Sequence, residues 1–176
     1  SSDVCSSGLV QPGGDRDFRG CLDTYRRLVA ELPVPVIAKE TGNGVGAETA
    51  AMLRSVVVRT VDTSGAGGTS WVGVETLRAE GASRSLGEQL WDWGVPTAAS
   101  VVFCKREGLD VIATGGIRTG YDVARAIALG ATAAGVARHA YQAYIDGGVD
   151  AANALFDEVE GTLRAVMLLT GARTIE

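Results

Sequence analysis

Hydrophobic residues follow two alternating spacings along this chain. Helical spacing, in which apolar residues recur every three or four positions, is found at Leu22, Tyr25, Leu28, Val29 and Leu32. Short and nearly continuous apolar runs, typical of strands buried on both faces, follow such helical segments. The predicted strands cover residues 34–39, 56–62, 110–114 and 131–137. Because helical segments separate these runs, the pattern predicts four βα units and a parallel sheet.

The segments between the predicted strands carry helical signals. Helices are predicted at residues 22–32, 48–53, 71–79, 97–106, 121–129, 139–146 and 149–169. Thr97 is a candidate N-cap for the helix at 97–106. Gly130 ends the helix at 121–129. Residues 9–19 are predicted to form a loop because they are rich in Pro, Gly and Asp. Residues 80–85 are predicted to be a polar stretch ahead of a helical turn or two.

Four βα units make up half of a (β/α)₈ barrel, and we therefore expect an α/β half-barrel. A doubly wound open sheet is the rival fold. It is disfavoured because no Gly-rich fingerprint follows the first strand with an acidic residue about 20 positions later. Residues 1–8 have no periodicity and resemble the translation of a sequencing adapter. We expect them to be an artefactual or disordered leader, and the half-barrel domain to cover residues 9–176.

Composition narrows the range of partners. The 176 residues are 46% hydrophobic and 21% charged, which is typical of a soluble globular protein. The net charge of −5 argues against a nucleic-acid groove or an anionic membrane surface. No apolar run approaches the roughly 20 residues of a membrane span. Cys5, Cys21 and Cys104 show no metal-ligand spacing, so we expect a reduced, cytoplasmic setting with Cys21 and Cys104 filling the core.

Two Gly-rich loops follow predicted strands, at residues 63–70 and 114–118. A strand, a Gly-rich loop and a helix together place bare backbone N–H groups and a helix N-terminus around an anion. In barrels, phosphate commonly sits between the last two βα loops, which here are 115–117 and 135–138. The alternative is that these glycines only make tight turns. Their paired placement favours an anion site.

Two charged or titratable residues are further candidates. Lys39 ends an apolar strand, where it could neutralise a phosphate or an electron-rich ring at the barrel mouth; the alternative is a salt bridge to Glu40 or Asp62. His139, the only histidine, begins a predicted helix. It is interpreted as a solvated helix-start residue more readily than as a general base. The sequence presents no Ser-His-Asp order and no metal-ligand cluster.

Taken together, these segments resemble the type 2 isopentenyl diphosphate isomerases, a family of FMN-dependent (β/α)₈ barrels. The resemblance is carried by Val-Gln-Pro-Gly-Gly-Asp-Arg-Asp-Phe (10–18), Pro-Val-Ile-Ala-Lys-Glu (35–40), Ser-Gly-Ala-Gly-Gly-Thr-Ser-Trp (64–71), Trp-Gly-Val-Pro-Thr (93–97), Ala-Thr-Gly-Gly-Ile-Arg (113–118), and Ala-Leu-Gly-Ala leading to Gly-Val-Ala-Arg (135–138). It extends from about Leu9 to the end of the chain. It implies the C-terminal half of a TIM barrel, with strands 5 to 8 of the parent barrel.

The resemblance implies the conversion of isopentenyl diphosphate to dimethylallyl diphosphate with reduced FMN, Mg²⁺ and NAD(P)H, the flavin acting as the acid/base. It implies that Lys39 contacts the flavin ring system and that the central loop contacts FMN through Ser64, Gly67, Gly68 and Thr69. It also implies that the FMN phosphate is held by the backbone of Gly115, Gly116, Ile117, Val136 and Ala137. No catalytic side chain and no metal ligand of this chain is implied. The parent protein is expected to be a homo-oligomer.

The chain departs from the family pattern at its start. Family members carry a Gln-Glu pair for substrate and Mg²⁺ where this chain has Ser7 and Gly8, and a Glu where it has Gly13. We therefore expect the parent to be an isomerase and this chain alone to be inactive. Two alternatives stay open. One is an FMN barrel of the α-hydroxy-acid oxidase type, which needs a histidine and an arginine that together form the catalytic base. The other is a non-catalytic half-barrel.

Overall fold

The computed structural model describes residues 7–10 and 17–175. Its centre is a parallel sheet of four strands in the order β1-β2-β3-β4. The strands are β1 (Ile37–Lys39), β2 (Thr60–Asp62), β3 (Asp110–Ala113) and β4 (Ala133–Ala134). Register aligns Ala38 with Val61 and Val61 with Val111. The strand ends therefore meet at one edge of the sheet.

Helices alternate with the strands. They are α1 (Ser7–Val10), α2 (Cys21–Glu31), α3 (Ala47–Ser55), α4 (Trp71–Arg78), α5 (Gly81–Gln89), α6 (Thr97–Arg106), α7 (Gly120–Ala128) and α8 (Arg138–Thr170). Each strand-to-strand connection contains at least one of these helices, as parallel strands require. The predicted α/β half-barrel is confirmed. Among the described residues, no helix is long and apolar enough to cross a membrane.

Among the described residues, the hydrophobic core lies on one face of the sheet. Ala38, Val61 and Val111 are buried on that face, beneath α3 and α6. The other face is open: Ile37, which begins β1, is 49% exposed. Burial of apolar side chains stabilises the helix-covered face, whereas the open face carries polar strand ends such as Lys39 and Asp62.

The prediction that two cysteines fill the core is confirmed for one of them. Cys104 on α6 is fully buried, and this burial raises the pKa of its thiol to about 11. Cys21 is only half-buried because it begins α2, a helix that contributes no fully buried residue. Cys5 lies outside the described residues.

The second predicted strand begins too early. Val56 and Val57 follow the end of α3, and the N–H groups of Val56 and Val58 both donate to the Leu53 carbonyl. Val57 has φ 66°, a left-handed conformation that no strand uses. The strand therefore covers only Thr60–Asp62. The helix C-terminus overrides the β preference of these valines.

Three further expectations are corrected. Residues 81–85 of the predicted polar stretch belong to α5, and Glu80 is the N-cap of that helix. Leu9 and Val10 lie in α1 rather than in a loop, and Val10 is buried. The α6 helix begins after Pro96, and Thr97 caps nothing because its hydroxyl donates to the Gly115 carbonyl instead.

Two other predicted strands are also too long, since β1 begins at Ile37 rather than at residue 34 and β4 covers only Ala133–Ala134 of the predicted 131–137. The two predicted C-terminal helices lie within α8, whose only non-helical residues are Gly147 and Gly148. Of the predicted leader, residues 1–6 lie outside the described residues, and Ser7 and Gly8 begin α1. Residues 11–16 of the predicted loop also lie outside them.

Replacing Gly120 with alanine tests the packing of α7 on α8. A Cβ at this position would lie 2.1 Å from the Val159 carbonyl oxygen and 2.5 Å from the Leu163 nitrogen, both backbone atoms. We expect Gly120→Ala to lower the free energy of unfolding by about 1–3 kcal/mol in urea denaturation. The matched control is Gly161→Ala, also in a helix, where an added Cβ meets nothing within 4 Å. It should be neutral or stabilise by about 0.5–1 kcal/mol. Equal losses in both variants would contradict this packing.

Candidate functional site

A cleft of about 580 Å³ opens at the carboxyl ends of the strands. It lies where parallel α/β sheets place their ligand sites. The predicted site residues in its lining are Lys39, Ser64, Gly68, Thr69, Gly115, Gly116, Ile117, Val136 and Ala137. Gly67, the remaining predicted residue, lies behind them against Gly115. The residues that sequence patterns single out on different loops thus meet in one place.

Lys39 forms an ion pair at the edge of this cleft. Its Nζ lies 2.8 Å from Oδ2 of Asp62, its register partner on β2. Asp62 is 14% exposed and Lys39 56% exposed, so the carboxylate is fixed and the ammonium reaches solvent. Of the two predicted ion-pair partners, the structure selects Asp62. Glu40 instead accepts hydrogen bonds from the backbone N–H groups of Gly42 and Asn43, at 2.7 and 2.8 Å.

The other carboxylate oxygen of Asp62 holds the start of the central loop. Its Oδ1 accepts the Ser64 N–H at 3.2 Å and the hydroxyl of Thr114. The Ser64 N–H also lies 3.0 Å from the Thr114 Oγ1. These contacts hold Ser64 at φ 34°, a conformation that non-glycine residues rarely adopt. One carboxylate therefore connects Lys39, the central loop and the end of β3.

The two Gly-rich loops are in backbone contact. A Cβ on Gly115 would lie 2.2 Å from the Gly65 carbonyl oxygen, and one on Gly116 would lie 2.3 Å from the Gly67 carbonyl oxygen. Both Gly115 and Gly116 also have positive φ, at 98° and 83°. Only glycine meets both conditions. The glycines are therefore required for loop contact as well as for turning.

Backbone donors are left over where these loops face the cleft. Within the part of the chain that the structure describes, the N–H groups of Gly116, Ile117, Val136 and Ala137 donate to no protein acceptor. The α8 helix begins directly afterwards, at Arg138, and its N-terminus adds a positive dipole end. Such a set of N–H groups is a ready anion site.

Asp122 accepts the two backbone N–H groups that follow Ile117, so the set of free donors in this loop ends at Ile117. Its Oδ2 accepts the N–H groups of Arg118 and Thr119, at 3.2 and 3.1 Å. Partial burial acts to raise the pKa of Asp122, but the hydrogen bonds from Thr119 and Arg118, together with nearby Arg125, outweigh it and leave the pKa lowered. Asp122 is thus ionised at neutral pH. Asp122 therefore accepts the N–H groups of Arg118 and Thr119, whereas those of Gly116 and Ile117 have no acceptor among the described residues.

Several residues of the cleft are missed by sequence reasoning. Sequence patterns present Asp62 only as an ion-pair partner, and they place Thr114 at a strand end and the start of a Gly-rich loop without a role, although both organise the central loop. Arg118, Arg138 and His139 also line the cleft. The available signal is position, because all of these residues lie at or just beyond strand ends. Among the described residues, no group of three or more His, Cys, Asp or Glu side chains could hold a metal ion.

Comparison with known proteins agrees with this geometry. The sequence model of the FMN-dependent dehydrogenase family matches residues 21–176. The chain belongs to this family. As a member of the FMN-dependent dehydrogenases it is expected to bind FMN, and the cleft fits that cofactor because its free N–H groups suit a phosphate and Lys39 lies at the same edge.

Curated relatives of this chain are named isopentenyl-diphosphate delta-isomerase. The protein from Methanosarcina barkeri is 52% identical over 132 residues, which are 73% of this chain and 36% of that protein. The one from Methanothermobacter thermautotrophicus is 45% identical over 170 residues, 95% of this chain and 47% of that protein. The resemblance found in the sequence is confirmed. The chain spans less than half the length of these relatives.

Solved structures similar to this family member support the same fold. A mandelate oxidase variant determined with (S)-mandelic acid superposes with a TM-score of 0.65 at 23% identity, covering 88% of this chain and 40% of that one. A mandelate oxidase with (S)-4-hydroxymandelic acid gives a TM-score of 0.65, also at 23% identity, covering 88% of this chain and 38% of that one. At this identity the likeness concerns the fold alone.

Proposed function

We propose that residues 9–176 form the FMN-binding, C-terminal half of an isopentenyl-diphosphate delta-isomerase, contributing strands 5 to 8 of its barrel. The observation that carries this proposal is the meeting of Lys39, Thr69 and the free N–H groups at 116–117 and 136–137 in one cleft. The names of the relatives supply the reaction. The free N–H groups and Lys39 in the cleft are the reason why this half would bind the cofactor.

The phosphate of FMN is proposed to bind between the loops that follow β3 and β4. The N–H groups of Gly116, Ile117, Val136 and Ala137 would donate to its oxygens, and the N-terminus of α8 would favour its negative charge. Arg118 and Arg138 line the same cleft and add positive charge. Charge-assisted hydrogen bonds of this kind are about twice as strong as neutral ones.

The flavin ring is proposed to lie towards β1 and β2. Asp62 holds the Lys39 ammonium at the cleft edge, where the ammonium can favour negative charge on the ring. Ser64 and Thr69 supply hydroxyl groups from the central loop. When bound, reduced FMN would supply the proton-transfer chemistry of the isomerisation. This chain's residues would bind and orient it.

The substrate is proposed to be a prenyl diphosphate, with NAD(P)H keeping the flavin reduced and Mg²⁺ assisting the diphosphate. The described residues do not fit the Mg²⁺ part of this assignment, because they contain no cluster of ligands. The ligands for that ion would therefore lie outside the described residues. Homo-oligomer formation of the parent protein is part of the same proposal.

Flavin titration tests the cofactor site. We expect Lys39→Ala to weaken FMN binding roughly tenfold, because it removes one charge-assisted contact, and Thr69→Ala to weaken it by roughly threefold to tenfold through loss of a hydroxyl donor. The measurement is quenching of FMN fluorescence at fixed ionic strength. Lys105→Ala is the matched control, since Lys105 is exposed on α6 and lies outside the cleft lining. Absence of FMN binding by the unaltered chain, or equal weakening in the control, would contradict the site.

Turnover assays separate the isomerase from the oxidase alternative. His139 lies in the cleft beside Arg138, which is the one observation that favours 2-hydroxy-acid oxidation. We expect the chain alone to turn over neither isopentenyl diphosphate nor a 2-hydroxy acid. Fused behind the first half of the Methanothermobacter relative, it should isomerise isopentenyl diphosphate when supplied with reduced FMN and Mg²⁺, as followed by NMR. Isomerisation by the chain alone would refute its inactivity. A fusion that binds FMN and oxidises 2-hydroxy acids instead would refute the isomerase assignment.

A further inference from the structure

In the part of the chain that the structure describes, one side chain hydrogen-bonds to the peptide between Gly115 and Gly116. The Gly115 carbonyl accepts the Thr97 hydroxyl at 2.5 Å, and the next nearest acceptor of that hydroxyl is the Thr114 carbonyl at 3.4 Å. Gly115 and Gly116 both have left-handed φ, and glycine populates either sign of φ with little cost. The orientation of this peptide is therefore not fixed by its own residues.

Because a peptide is planar, the hydrogen bond to the Gly115 carbonyl also determines the direction of the Gly116 N–H. In a trans peptide the C=O and N–H bonds point in opposite directions. Thr97 lines a small cavity of about 190 Å³ behind the loop, whereas Gly116 lines both this cavity and the cleft. Holding the Gly115 carbonyl towards Thr97 therefore directs the Gly116 N–H away from it. The Gly116 nitrogen lies close to Gly68, another residue of the cleft lining, where an added Cβ would be 3.0 Å from it.

The position of Thr97 is itself fixed by packing. A Cβ on Gly65 would lie 2.3 Å from the Thr97 Cα and 2.6 Å from its nitrogen, so the central loop lies directly against its backbone. The Gly65 N–H donates to the Thr114 carbonyl at 2.8 Å, which ties that loop to the strand preceding Gly115. The hydroxyl of Thr97 thus approaches the Gly115 carbonyl from a rigid base at the start of α6.

We propose that Thr97 is a positioning residue for the phosphate of the flavin: its hydroxyl holds the Gly115–Gly116 peptide so that the Gly116 N–H faces the cleft. This inference rests on the proposed FMN site. Thr97 does not line the cleft, so it would act through the peptide and not by touching the flavin. Its contribution should therefore be confined to ligands that carry the phosphate.

Comparing FMN with riboflavin isolates this role, because riboflavin has the same ring and ribityl chain but no phosphate. Thr97→Val keeps the shape of the side chain and removes the hydroxyl. We expect it to weaken FMN binding roughly tenfold, the effect of one lost hydrogen bond to a charged group, and to leave riboflavin affinity unchanged. Thr97→Ser restores the hydroxyl and should recover FMN affinity to within about threefold of the unaltered chain.

The outcomes separate this inference from the function on which it rests. If the unaltered chain prefers FMN over riboflavin and Thr97→Val keeps that preference, the positioning role is refuted while the FMN site stands. The same conclusion follows if Thr97→Val weakens both flavins equally, or if Thr97→Ser behaves like Thr97→Val. If the unaltered chain binds neither flavin, the proposed FMN site fails and the positioning role fails with it. Thermal unfolding of each variant identifies a global loss of folding.

Discussion

The direct backbone contact between the two Gly-rich loops is the constraint on which the site depends. Added Cβ atoms on Gly115 and Gly116 would come within 2.3 Å of the Gly65 and Gly67 carbonyl oxygens. Larger residues would therefore force the loops apart. With the loops in contact, their remaining N–H groups converge with those preceding α8. Without that contact, the same residues would be separate turns on separate strands.

The two faces of the sheet carry different residues, apolar ones on the helix-covered face and charged ones on the open face. Ala38, Val61 and Val111 face the helices and are buried, while the alternate positions Lys39 and Asp62 lie on the opposite face at the strand ends. Because side chains alternate along a strand, the same three-residue strands supply both the core and the ion pair. Changes in the cleft can therefore alter ligand binding while the packed face stays intact.

Much of this could be predicted from the sequence, for identifiable reasons. Apolar runs between helical segments are strong local signals, so four parallel βα units were predictable, and the glycine pairs at strand ends singled out loops that meet in one cleft. The errors involve competition between local and tertiary effects. Val56 and Val57 have β propensity but lie at a helix C-terminus. Thr97 has the chemistry of an N-cap, yet its hydroxyl bonds to Gly115, a partner that no local pattern reveals. Asp62 becomes central only through its register with Lys39.

Amide chemical shifts measured during an FMN titration test the central claim most directly. In ¹H–¹⁵N spectra of the chain, we expect FMN to shift the resonances of Gly116, Ile117, Val136 and Ala137 downfield as their N–H groups donate to the phosphate. Riboflavin should leave these four resonances in place while moving those near Lys39 and Thr69. If saturating FMN leaves the four amides unmoved, or moves resonances on the helix-covered face instead, the two loops do not form a phosphate site.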